Sequence, residues 1–184
     1  MILPIYLYGQ AVLRKETQDI PADYPELKTL VDNMYETLVK SEGVGLAAPQ
    51  VGLSLRLFVV DLRCLADEEP AYKDFTKTFI NPEIVEYSPE TNSLEEGCLS
   101  IPGIHENVTR STRVKVSYQD EAFARHEEWF DGYLARVIQH EYDHLEQKVF
   151  TDRISPIRKQ LIKAKLNNVV KGRVYCDYKT KAQH

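Results

Sequence analysis

Ten consecutive residues, Gln139-His140-Glu141-Tyr142-Asp143-His144-Leu145-Glu146-Gln147-Lys148, constrain this chain more than any other stretch. They contain H-E-x-x-H. On a helix, residues i and i+4 project from one face, roughly 5–6 Å apart, so His140 and His144 can grip one metal ion together. Glu141 is turned by one helical step, which sets its carboxylate beside such a metal as a general base for a bound water. The residues leading into the motif extend the helix, with Leu134, Val137, Ile138, Glu141 and Leu145 at helical spacing. The bland alternative is two ordinary histidines that happen to sit four apart. A glutamate facing an apolar stripe weighs against it, because a buried carboxylate without a partner is costly.

A third ligand must come from elsewhere. No Asp or Glu lies between Asp152 and Asp177, so the downstream glutamate of thermolysin-like proteases is missing. The longer metzincin pattern fails too, since Gln147 stands at its glycine and Phe150 at its third histidine. Upstream, Cys98 in Glu95-Glu96-Gly97-Cys98-Leu99-Ser100 is the best candidate, a soft thiolate suited to Zn²⁺ or Fe²⁺. The three cysteines are scattered and odd in number, which argues against a disulfide framework and for a reducing compartment.

The 184 residues fit one domain spanning 1–184, with residues 155–184 as a C-terminal helix and basic tail. Apolar content of 43% suffices for a core. Met1-Ile2-Leu3-Pro4-Ile5 lacks the basic start and long apolar run of a signal peptide. No stretch approaches the ~20 apolar residues of a membrane span, so a cytoplasmic protein without a membrane partner is expected. The net charge of −5 conceals an asymmetry. From Arg153 onward there are nine Lys/Arg and one acid, Asp177, on a body with fourteen basic and twenty-seven acidic residues. A basic end on an acidic body suits an anionic partner, or serves only as a solvated helix face.

In chain order, Ile2 to Tyr8 reads as extended, turning at Gly9. Pro25 to Lys40 reads as an amphipathic helix, with Pro25 in the first turn and Leu27, Leu30, Val31, Met34 and Leu38 on its apolar side. Glu42-Gly43-Val44-Gly45-Leu46-Ala47-Ala48-Pro49-Gln50 is a loop in which glycine lets backbone approach a ligand. It lacks the Lys-Ser/Thr of a phosphate loop. Leu55 to Asp61 is a strand, Arg63 to Lys77 a polar loop and Thr78 to Tyr87 a strand interrupted at Asn81-Pro82. Ile101-Pro102-Gly103-Ile104 reads as a turn. Val114 to Tyr118 alternates as a strand and pairs with Ala124 to Phe130. Ser155 caps and Pro156 opens a last helix to about Lys171, its apolar side being Ile157, Leu161, Ala164 and Leu166 or Val169.

Three separated segments, Gly43 to Gln50, Glu96-Gly97-Cys98-Leu99-Ser100 and Gln139 to Leu145, resemble the three signature motifs of peptide deformylase, in the same order. The similarity extends to Tyr8-Gly9, Val12-Leu13-Arg14, and Phe150, Asp152, Ser155 and Pro156. It departs at Gln147, where the family usually has a glycine that eases a left-handed helix exit.

The resemblance implies an α+β fold, antiparallel strands packed around a central metal-binding helix, with a C-terminal helix. It implies one Fe²⁺, replaceable by Zn²⁺ or Ni²⁺, held by Cys98, His140 and His144. Metal-bound hydroxide would attack the formyl carbon of N-formylmethionine on a nascent polypeptide, with Glu141 as base and then acid. The Gln50 side-chain amide and the Leu99 N–H would receive the oxyanion. The peptide would add as a strand between Val44-Gly45 and Gly97. Val44, Tyr133, Val137 and His140 would form the methionine pocket, with Glu96 and His105 at its mouth.

The resemblance further implies an ion pair between Glu42 and Arg110, and docking of the basic C-terminal helix on ribosomal RNA. No DNA partner is expected, and His126 and His184 are expected at the surface. The alternatives are a zinc peptidase with a cysteine ligand and a non-catalytic metal-binding module.

Overall fold

A computed structural model describes residues 1–182. Its centre is an antiparallel five-stranded sheet in the order β2 (Gly45–Ala47), β3 (Leu57–Asp61), β4 (Thr76–Tyr87), β7 (Arg113–Gln119) and β8 (Arg125–Asp131). β3 is buried along its whole length and apolar from Leu57 to Val60, as expected of a strand covered on both faces. Leu57 and Val59 point into a cluster with Val31, Met34 and Leu38 of α1 (Leu27–Lys40). Phe58 and Val60 point the other way, into a cluster with Leu134, Ala135, Val137 and Ile138 of α2 (Gly132–Leu145). The period-2 alternation of side chains thus sandwiches the sheet between two helices.

α2 carries the H-E-x-x-H motif and is buried from Leu134 to Glu141 without a break. Against its outer side lies a long hairpin, β5 (Thr91–Cys98) with β6 (Ile101–Ser111). α3 (Pro156–Val170) packs on β6 through a third cluster that includes Ile104, Val108, Ile162 and Val169. β1 (Ile5–Tyr6) pairs in parallel with β9 (Thr180–Lys181), tying the last described residues to the first strand. No described helix is long and apolar enough to cross a membrane.

Several expectations are corrected. α1 begins at Leu27 and not at Pro25, because Glu26 takes a left-handed φ of 56° and interrupts the first turn. The polar loop after Arg63 contains two short 3-10 turns, Arg63–Leu65 and Pro70–Tyr72. Ile101-Pro102-Gly103-Ile104 is not a turn but the start of β6; the chain reverses at Leu99-Ser100, with Cys98 facing Ile101.

α3 begins as expected, with the Ser155 hydroxyl accepting from the Arg158 N–H, but it presents a different face. Ile157 and Leu161 are 75% and 64% exposed, while Ile162 and Val169 are buried. The inward face is the one that buries Ile162 and Val169 against Ile104 and Val108, and at its edge the Arg158 guanidinium donates twice to Glu106 of β6 at 2.9 Å. Residues 158, 162, 166 and 169 then share the inner side.

Candidate metal centre

The site is built where the Gly43–Gln50 loop, the β5–β6 turn and α2 converge. Cys98, His140 and His144 bring one ligand atom each to within 4.8 Å of one another. Cys98 Sγ lies 3.5 Å from His144 Nε2. The His140 Nδ1–H donates to Glu96 Oε1 at 2.8 Å, which fixes the tautomer and turns Nε2 toward the cysteine. Burial, with repulsion from His140, holds the His144 ring down at about 3, so it stays neutral and able to donate a lone pair. Burial also opposes charge on His140, yet its bonds to Cys98 and Glu96 raise it well above the ordinary imidazole value.

Glu141 is buried, and its Oε2 has no hydrogen-bond partner among the described residues. Burial, more than any neighbouring charge, lifts its carboxyl to about 7. A bare buried carboxylate oxygen is costly, and a water held on an adjacent metal would satisfy it. One thiolate, two imidazoles and an unsatisfied carboxylate fit a catalytic transition-metal site with an open position. A Cβ on Gly45 would come within 2.6 Å of Glu141 Oε1, so glycine is required there for the loop to lie against this carboxylate.

The Gln50 amide has a fixed sense. Its Oε1 accepts from the Ala47 N–H at 2.9 Å, so Nε2 faces Ser100 Oγ at 3.2 Å and Cys98 Sγ at 3.4 Å. A cleft of about 350 Å³ opens over these atoms. Val44, Gly45, Gln50, Glu96, Gly97, Leu99, Tyr133, Val137, His140 and Glu141 all line it, as does His105. Two residues sit differently from expectation. Glu96 is not at the mouth but 7% exposed, donated to by Arg110 and Arg136 as well as His140. Burial opposes its charge, but those partners draw its carboxyl down to about 2.

Arg110 does not pair with Glu42. It is buried between Glu96, at 2.6 Å, and Asp143, at 2.9 Å, whereas Glu42 is exposed and forms no ion pair among the described residues. Sequence reasoning missed Arg136 and Asp143, which complete this buried charge network, and Arg153, which joins it from the surface through Asp143. The available signal was spacing, since Arg136 lies four residues before His140 and faces the same way on α2. His126 is exposed and bonded to Asp120 at 2.7 Å, while His184 lies outside the described residues.

The sequence profile of polypeptide deformylase matches residues 2–160. The chain is 47% identical to the peptide deformylase of Christiangramia forsetii, covering 97% of this chain and 95% of that one. It is 50% identical to the peptide deformylase of Flavobacterium johnsoniae, over 98% and 96% of the two chains. The Met-Ala-Ser-bound crystal structure of the class I type b peptide deformylase from Acinetobacter baumannii is similar with a TM-score of 0.76 at 37% identity, covering 84% of this chain and 99% of that one. With its cysteine–histidine cluster and buried glutamate in one cleft, the chain belongs to the peptide deformylase family, the metal-dependent hydrolases that remove the formyl group from the N-terminus of new polypeptides.

Proposed function

We propose that Cys98, His140 and His144 hold one Fe²⁺ and that the residues around it carry out deformylation in the roles the motifs imply. The convergence of three ligand atoms within 4.8 Å beside a buried, unpartnered glutamate carries this reading. A divalent metal there supplies Lewis acidity and makes a water acidic enough to attack near neutral pH. Glu141 receives the water's proton and delivers it to the departing amine. The Gln50 Nε2, oriented by its bond to Ala47, and the Leu99 N–H donate to the oxygen as it gains negative charge. Glu96 steadies the His140 ring. The backbone of Val44, Gly45 and Gly97 aligns the nascent peptide as an added strand, and Val44, Tyr133 and Val137 receive its methionine side chain.

The soft thiolate supports Fe²⁺, with Zn²⁺ or Ni²⁺ able to occupy the same ligands. The enzyme works as one catalytic domain in the cytoplasm, meeting its substrate at the ribosome through the basic C-terminal helix and tail. Anaerobically purified wild-type and Glu141→Gln proteins are expected to carry one equivalent of iron each. The variant should turn over formyl-Met-Ala-Ser slower by the ~10²–10⁴ attributed to a general base. Equal turnover by the two would refute the role of Glu141. Cleavage of acetyl-Met-Ala-Ser at a similar rate would favour a peptidase.

A further inference from the structure

The turn carrying Cys98 and Leu99 is held by segments far from it in sequence. β5 and β6 shift register between Glu96 and Cys98 before closing at Cys98 and Ile101, so the ladder alone does not fix Leu99 and Ser100. Both carbonyls of the turn are taken by outside donors. The Tyr8 N–H donates to Ser100 O at 2.8 Å, and the Tyr178 hydroxyl donates to Leu99 O at 2.8 Å.

These two anchors form one unit. Tyr8 follows β1, and β1 grips the tail through Ile5 N–H to Lys179 O at 2.8 Å and Leu7 N–H to Lys181 O at 2.9 Å. The Tyr178 ring packs, partly buried, in the same cluster as Leu38 and Leu99. The Leu99 side chain in turn touches the first-motif loop, since a Cβ on Gly43 would meet its Cδ1 at 3.0 Å.

We propose that Tyr178 is a positioning residue for deformylation, its bond to the Leu99 carbonyl fixing the Leu99–Ser100 peptide plane and so limiting the rotation about Leu99 by which the preceding plane, which carries the N–H that receives the oxyanion, could turn away. This rests on the role given above to the Leu99 N–H. The peptide planes are rigid and each residue has only two soft dihedrals. Anchoring Leu99 O on one side, with the Cys98 sulfur committed to the ligand cluster on the other, therefore leaves the intervening N–H little freedom.

Tyr178→Phe removes the hydroxyl and keeps the ring. On formyl-Met-Ala-Ser we expect kcat to fall about tenfold, short of the ~10²–10³ for deleting an oxyanion donor outright, with KM and metal content unchanged. Amide hydrogen exchange over residues 97–101 should quicken, while exchange in α2 and the five-stranded sheet stays as it was. Unchanged exchange over 97–101 overturns the tether. Faster exchange there with unchanged kcat overturns the oxyanion assignment of Leu99 instead, and with it the part of Tyr178 in the reaction. A fall in kcat that tracks metal loss, or faster exchange everywhere, reduces Tyr178 to general stability and likewise ends the proposal.

Discussion

Gln147 takes φ +57° at the exit of α2, where the family usually has glycine. The Lys148 N–H donates back to Asp143 O at 2.8 Å, the long bond of a left-handed helix stop, so the conformation is enforced by the ladder and not by the residue. Gln147 offsets the left-handed strain locally. Its Nε2 donates to Leu145 O at 2.7 Å, and its own carbonyl accepts from Arg14 at 2.8 Å. Glycine would relieve roughly 1–2 kcal/mol of Cβ strain but lose the side-chain bond and add about 0.5–1 kcal/mol of chain entropy. Gln147→Gly should therefore leave the urea midpoint nearly unchanged. Gln147→Val, branched at Cβ and without a donor, should lose about 1–2 kcal/mol. Equal midpoints for the two variants would show that this exit tolerates any residue.

The residues that the motifs name meet in one cleft, and the sequence could point to them because the signal of each is local to its own motif. For Arg110 it could not, because its choice of partner is decided in three dimensions. An exposed pair with Glu42 would contribute little. Burial between Glu96 and Asp143 lets one guanidinium bridge two buried carboxylates, beside Arg136 on the first and Arg153 on the second.

At the scale of elements, patterns with one reading were legible and those with two were not. α2, the β7–β8 hairpin and the Ser155-Pro156 helix start follow from local signals that tertiary packing had no reason to override. α3 has two apolar stripes. Ile157 and Leu161 form one, Ile162, Leu166 and Val169 the other, and helical spacing alone cannot choose between them. The choice is made against β6, where Ile104 and Val108 bury Ile162 and Val169 and Glu106 takes the Arg158 guanidinium at the edge. Ile162→Ala should accordingly destabilise the protein by about 2–4 kcal/mol, and Leu161→Ala by no more than ~0.5 kcal/mol. Thermal unfolding of the two variants checks this. The reverse order would mean that α3 sits on its other face.

Over the whole molecule, the rotation of α3 also decides what the basic end can reach. With Ile162 and Val169 inward, Lys159, Lys163 and Lys165 stand exposed on the outer side together with Ile157 and Leu161, while Arg158 is committed to Glu106. The tail that follows turns back to β1, so Lys171, Arg173, Lys179 and Lys181 are also exposed beside an otherwise acidic body. Charge segregated in this way steers one end of a protein toward a polyanion and turns the other away. Docking on ribosomal RNA near the site of peptide emergence would present the cleft to new N-termini. Such binding should weaken by about 0.7–0.9 log units per log unit of salt for each phosphate contact. Reversing Lys163, Lys165 and Lys171 to glutamate should flatten that slope by up to three contacts' worth and lower co-sedimentation with ribosomes. Turnover of free formyl-Met-Ala-Ser should remain intact, because none of the three residues lines the cleft. Co-sedimentation that the triple reversal leaves untouched across the salt series would remove this role from the C-terminal helix.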